Sequence, residues 1–218
     1  MTQGNRIAEL VSSLRDAQET RLIVAIAGAP GSGKSTLADF IAAQLNADRP
    51  SHAAILPMDG YHYDDSLLSA MGRLARKGAP DTFDVMGLAW TLRRLRESDC
   101  QDVVVPIFDR EIEIARAGAR LIKKSASIII VEGNYLLCNV EPWHHLQPFF
   151  DKTVMLNVSD STLRQRLRER WIHYGLDEDG IRHKLEDNDI PNGHFVLSNS
   201  RASDWTLSSD HIQERYNT

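Results

Sequence analysis

Apolar positions along the chain fall into short β-branched runs separated by stretches in which they recur every three to four residues. Residues 5–17, NRIAELVSSLRDA, put Ile7, Leu10, Val11 and Leu14 on one side and predict an amphipathic helix. RLIVAIAG reads as a strand by its length and composition. After a glycine-rich segment, STLADFIAAQLNA places Leu37, Phe40, Ile41, Ala42 and Leu45 along one helical face. AAILPM predicts a second strand ending at Asp59. Residues 65–76 read as helical, and VMGLAWTLRRLRES as a helix through Leu88, Leu92 and Leu95. DVVVPIFDRE is a short strand that Pro106 assigns to an edge, because proline removes a ladder donor. SASIIIVEGNYLL carries the strongest buried-strand signal, with Glu132 at its end. KTVMLNVS is another strand, followed by an arginine-rich helix, DSTLRQRLRERWIHYG. A helix over LDEDGIRHKLEDND, a further helix after Pro191 and a last strand in SDWTLSS complete the pattern.

Strands alternating with helices imply an α/β fold, a mostly parallel sheet covered by helices on both faces. No repeat, low-complexity tract or long linker divides residues 1–218, so a single domain is expected, with a helical lid over about 162–190. At 218 residues the chain can bury a substantial core. A formal net charge of −5 gives no global attraction to nucleic acid or anionic membrane. No run approaches the roughly 20 apolar residues that span a bilayer. Cys100 and Cys138 have neither metal-ligand spacing nor a disulfide framework, and a reducing, cytoplasmic setting is the expectation. The histidines His62, His144, His145 and His173 form no metal constellation that the sequence defends.

The glycine-rich segment is GAPGSGKS, Gly28 to Ser35, followed by Thr36. It matches G-x-x-x-x-G-K-[ST] in full, between a predicted strand and a predicted helix. Glycines let the backbone curl so that amides face phosphate oxygens, and the helix adds its unpaired N-terminal N–H groups. Gly28, Ala29, Pro30, Gly31, Ser32, Gly33, Lys34, Ser35 and Thr36 are therefore the expected ATP-binding set. Lys34 reaches the β/γ-phosphates, and Ser35 is the expected Mg²⁺ ligand.

Such a loop serves kinases, GTPase switches and ATPase motors alike. No Asn-Lys pair occurs anywhere, which removes the guanine-reading string. The chain leaves little room for a motor's coupling region. A small-molecule kinase needs an acid beside the acceptor hydroxyl, an acid that organises magnesium, and mobile cations over the phosphates. Asp59 supplies the first, at the end of a strand on the same edge as the phosphate loop; its alternative is a simple turn at Asp-Gly. Glu132 supplies the second, since a carboxylate ending an apolar strand is costly without a cation or hydrogen bonds. Among Arg164, Arg166, Arg168 and Arg170, helical spacing separates two pairs, and Arg166 and Arg170 are assigned to phosphate. His62, Tyr61, Asn134 and Tyr135 flank these acids and are candidates for the acceptor pocket. Asn188, Asp189 and Asn192 in NDIPN either organise a closing loop or form a helix-breaking turn.

These motifs, together with Phe83-Asp84, PIFD at Pro106–Asp109 and VEGNYLL, occur in the order seen in the uridine kinase and pantothenate kinase group, which the chain resembles over roughly residues 20–210. VEGNYLL, PWHHL and LEDNDIPNGHFV are most similar to bacterial kinases associated with fructose transport systems, fructokinase-like or nucleoside/nucleotide kinase-like. The resemblance implies ATP- and Mg²⁺-dependent transfer to a hydroxyl of a small metabolite, with Asp59 as base, Asp84 and Asp109 framing the acceptor, Glu132 associated with magnesium, and Arg166 and Arg170 in the lid. A homodimer is compatible with it. Two departures bear on substrate. Phe108 replaces the tyrosine of the fourth motif, and Glu113 stands where uridine kinases carry a ring-reading histidine. Tyr174 and Leu176 flank Gly175 in place of two lid arginines. A pocket of Asp59, Asp84, Asp109 and Glu113 would suit the hydroxyls of a sugar or polyol better than a pyrimidine or an anionic acceptor. A non-catalytic nucleotide-dependent regulator is the competing class.

Overall fold

The computed structural model describes residues 3–15, 21–97 and 101–210. Cys100 and the last two residues of the expected first helix lie outside them.

Five parallel strands form the central sheet: β1 (Leu22–Gly28), β2 (Ala53–Pro57), β5 (Ile128–Gly133), β6 (Lys152–Asn157) and β7 (Trp205–Ser208), in the order β2-β5-β1-β6-β7. Side chains alternate across it with the period of two that a strand imposes. Val24, Ile26, Ile128, Ile130, Val154 and Leu156 face one side, against helices α1 (Gln3–Arg15) and α2 (Lys34–Asn46). Ile23, Ala25, Ile129, Val131 and Met155 face the other, beneath α4 (Val85–Arg96) and an aromatic group containing Tyr135 and Trp143. Both faces of β5 are covered, which is why IIIV is continuously apolar. Each such buried aliphatic side chain stabilises by about 1.5–3 kcal/mol relative to exposure.

The predicted edge strand departs from expectation. β3 (Val103–Asp109) does not join the sheet. It pairs antiparallel with β4 (Ile114–Ile122), a strand the sequence pattern does not announce. Most of β4 is exposed, and the alanines and glycine between its two arginines leave no apolar–polar alternation to mark it. A register shift between Val105 and Ile107 flanks Pro106. The helix expected over 65–76 is split into α3 (Asp65–Ala70) and a 3-10 turn at Leu74–Arg76.

NDIPN also departs from a break. α6 (Glu178–Lys184) runs through a π-helical turn, Leu185–Asp189, directly into α7 (Ile190–Asn199). The Ile190 N–H closes the wide turn onto the Leu185 carbonyl. Pro191, which has no N–H to offer, follows where the ladder is already widened. Asn188, Asp189 and Asn192 are consequently buried on a helix.

The parallel register gathers three strand ends. Ile26 and Pro57 both pair with Glu132, and Ala27 pairs with Gly133. The phosphate loop leaving β1, the turn leaving β2 and the acid ending β5 thus share one carboxyl-end edge, where ligands of such sheets bind.

Candidate active site

A cavity of about 410 Å³ opens at that edge. Its floor is the phosphate loop. Gly31 (φ 76°) and Gly33 (φ 91°) occupy the left-handed region that favours glycine. Gly33 stands at the N-terminus of α2, whose first residues Lys34, Ser35 and Thr36 line the cavity with Pro30 and Gly31. Gly28, Ala29 and Ser32 shape the loop from behind. A Cβ at Gly28 would lie 2.6 Å from the Leu156 carbonyl oxygen. The Ala29 carbonyl accepts from Lys34 Nζ at 2.9 Å. The buried Ser32 hydroxyl has no hydrogen-bond partner among the described residues. Lys34 is buried, and burial draws its pKa down to about 8, against the pull of Glu132 and Asp59.

Asp59 lies in a 3-10 turn, Met58–Tyr61, rising from the end of β2. Its glycine neighbour is not there for a left-handed turn. A Cβ at Gly60 would lie 2.5 Å from the Pro106 carbonyl oxygen, so Gly60 lets the β3–β4 hairpin approach. Gly133 similarly admits Met58, whose Cβ would lie 2.4 Å from an added methyl. Two glycines therefore bring Asp59 and Glu132 into one pocket wall. Burial works to raise the Asp59 pKa, but Arg110, His62, Lys34 and Arg170 outweigh it and hold the carboxylate ionised below its ordinary range. Glu132 moves the other way, to about 7, through burial first and the negative charge of Asp59 second. Two nearby acids with diverging affinities for protons mark a site built for chemistry.

The Ser35 hydroxyl donates to Glu132 Oε2 at 3.2 Å. A hydroxyl and a buried carboxylate beside the expected β/γ-phosphate position are hard oxygen donors of the kind magnesium takes, and a cation there would restore the ionised form of Glu132. The residues fit the ion.

The lid helix α5 (Asp160–His173) is seated on the phosphate loop through Leu163 and Leu167, with Ala29, Ile181, Leu185 and Ile190 in the same apolar cluster. Its arginines divide as helical spacing requires. Arg166 and Arg170 line the cavity. Arg166 donates to Ser209 Oγ at 2.9 Å and to the Ser209 carbonyl at 2.7 Å. Arg170 has no hydrogen-bond partner among the described residues, and burial, then Arg110, depress its pKa. Arg164 faces solvent and pairs with Asp160 and Glu186, and Arg168 pairs with Glu178.

The expected acid-rich acceptor pocket does not form. Asp84 caps α4, accepting the Gly87 N–H at 2.8 Å, and stands outside the cavity. Asp109 turns away as well and pairs with Arg116 at 3.2 Å. Alternation at the end of β3 explains this: Phe108 lines the cavity and Asp109 takes the opposite face, while Arg110, in the turn just beyond, reaches the cavity again. Tyr61 is buried in the core, where desolvation pushes its hydroxyl up to about 12. Tyr135 is fully buried and donates to the Gly78 carbonyl at 2.7 Å, so it holds a cavity loop instead of touching substrate. His62, Asn134 and Glu113 do line the cavity. His62 Nδ1 lies 2.8 Å from the Asp59 carbonyl oxygen, and its ring packs between Phe83 and Phe108.

Several lining residues escaped sequence reasoning: Lys77, Arg110, Glu169, Trp171 and Lys184. Arg110 was within reach of it, since it stands two residues from Phe108 in the recognised motif. Lys77 had no local signal.

Comparison with known proteins gives the fold its family. A model of the KAP family P-loop domain matches residues 4–143, more than half the chain. "Uncharacterized protein YggC" of Escherichia coli is 37% identical over 85% of this chain and 76% of its own length. "Putative uridine kinase C227.14" of Schizosaccharomyces pombe is 32% identical over 93% of this chain and 87% of its own. The chain belongs to the P-loop kinase family. Among solved structures, a "putative fructose transport system kinase" from Silicibacter sp. TM1040 superposes with a TM-score of 0.85 at 37% identity, covering 95% of this chain and 99% of that one. No described helix of this P-loop kinase is long and apolar enough to cross a membrane.

Proposed function

We propose that the protein transfers the γ-phosphoryl group of ATP to a hydroxyl of a small metabolite, a sugar or polyol in the manner of a fructokinase-like enzyme. The observation that carries the reading is the gathering of Lys34, Asp59, Glu132, Arg166 and Arg170 around one cavity above the phosphate loop. Lys34 and the loop hold the β/γ-phosphates. Ser35 and Glu132 hold magnesium, which when bound neutralises charge across those phosphates. Asp59 orients the acceptor hydroxyl and takes its proton as the oxygen–phosphorus bond forms and the bond to the β-phosphate oxygen breaks, releasing ADP. Arg170, with no hydrogen-bond partner among the described residues, meets the equatorial oxygens of the transferring group. No covalent intermediate is required.

The sugar or polyol assignment rests on Glu113 standing where a ring-reading histidine is expected, and on the name of the Silicibacter protein. Asp84 and Asp109 lie outside the cavity and do not contribute to that assignment. The test is an acceptor screen: Mg-ATP with separate pools of sugars and polyols (each in neutral, phosphorylated and acidic forms), nucleosides and pantothenate, with product mass measured directly. Phosphate gain in the sugar or polyol pool is expected. A selective nucleoside product would overturn the acceptor class and leave the kinase intact. Tight Mg-ATP binding without transfer in any pool would favour a nucleotide-dependent regulator.

A further inference from the structure

Once Asp84 and Asp109 leave the pocket, its acceptor end is no longer a cluster of acids: Lys77 and Arg110 stand there beside Asp59 and Glu113. The side chains there come from the β3–β4 hairpin and the loop at 77–78. Arg110 pairs with the Asp59 carboxylate itself. Lys77 pairs with Asp65 and with the Glu113 carbonyl, and only 10% of its side chain is exposed. Both cations lie over the Phe108 ring, Lys77 Nζ at 5.2 Å and Arg110 Cζ at 5.6 Å from its centroid. An apolar slab under two cations strengthens their hold on an anion by keeping water from one side.

The Arg110–Asp59 pair poses a chemical problem for the proposed reaction. A carboxylate bound by guanidinium is a weakened base, because the cation favours its ionised form. Phosphoryl transfer needs that carboxylate free to accept a proton. A neutral sugar offers nothing to compete for Arg110, whereas an anionic group on the acceptor does.

Building on the kinase reading, we propose that the acceptor is a polyhydroxy compound carrying an anionic group, a phosphate or a carboxylate. Lys77 and Arg110 bind that group above Phe108, and its arrival draws Arg110 off Asp59. The base is then released only when the right acceptor is seated. Arg110 acts as both specificity residue and gate. Lys77 is a specificity residue alone.

The experiment compares neutral hexoses, hexose monophosphates and aldonic acids as separate acceptor pools with Mg-ATP, reading product by mass, in the wild type and in Lys77→Met. Transfer is expected to a monophosphate or an aldonic acid, and which of the two responds identifies the anion. With that acceptor K77M should raise KM by about 10- to 100-fold, the scale of a lost charge-assisted contact, with KM for ATP unchanged. A melting curve confirms that K77M is folded, and the wild-type pools do not depend on the variant. Transfer to neutral hexoses alone, or a K77M protein with unaltered acceptor KM, would overturn the proposal while the kinase stands. No product in any of these pools would overturn the proposal, and the nucleoside and pantothenate pools of the acceptor screen then decide whether the kinase reading stands.

Discussion

The Trp171 indole N–H donates to Asp189 Oδ2 at 2.7 Å, joining the lid helix to the π-helical turn across the mouth of the cavity. Asp189 is buried, and burial raises its pKa against the pull of Trp171 and Arg170. Trp171→Phe keeps the ring and removes the donor. An unpaired buried carboxylate costs about 1–3 kcal/mol, which in a domain of this size should lower Tm by roughly 2–10 °C. Differential scanning calorimetry checks this. An unchanged Tm would mean that the lid is held without that bond.

The lid arginines separate phosphate contacts from surface ion pairs. Arg170→Ala should lower kcat by about 10²–10³-fold, the range for a lost charge-stabilising donor. Arg164→Ala breaks exposed pairs worth about 0–1 kcal/mol and should leave kcat nearly unchanged. Steady-state kinetics on both decides. Equal small effects would make α5 a solvated surface helix.

Lys34→Ala removes the fixed cation over the β/γ-phosphates. The variant should fold, by circular dichroism and melting, and lose acceptor phosphorylation by at least about 10²-fold. Turnover near wild type in a folded K34A protein would sink the phosphate-loop assignment.

Asp210 anchors the base of the lid. Its Oδ1 accepts the Ser159 N–H and hydroxyl, each at 2.9 Å, and the Ser159 N–H first among its causes holds the pKa at about 2. The folded pKa lies below its ordinary 3.8, so this stabilisation is complete above pH 3.8 and fades as pH falls through 2. Wild type should therefore melt above Asp210→Asn at neutral pH, with the gap closing in acid. Melting curves from pH 7 to pH 2 test the sign, and a gap that widens in acid would contradict it.

The parallel sheet and phosphate loop were legible because their signals are local. IIIV is apolar throughout, since both faces of β5 are covered, and the loop's glycines are demanded by its own backbone. The lid arginines were legible through helical spacing alone. The acceptor pocket was not. Asp84 and Asp109 stand in recognisable motifs, yet a cap hydrogen bond occupies one and strand alternation turns the other away. Lys77 and Arg110 meet over Phe108 only because the hairpin folds back onto the turn at Gly60, and the pattern of β4 does not announce that hairpin. The burial of Asn188 and Asp189 depends on a π turn that NDIPN by itself reads as a break.

The central claim is that Asp59 does the proton chemistry. Asp59→Asn preserves much of the side chain's shape and removes its basicity. Isothermal titration of this variant with a non-hydrolysable ATP analogue at several Mg²⁺ concentrations, alongside acceptor-dependent turnover, tests the claim most directly. Nucleotide affinity and its Mg²⁺ dependence should persist, while turnover falls by roughly 10²- to 10⁴-fold, the range for a positioned acid–base group. A loss of Mg²⁺-dependent affinity together with turnover would move Asp59 to the metal. A D59N protein that binds and turns over as wild type would contradict the account.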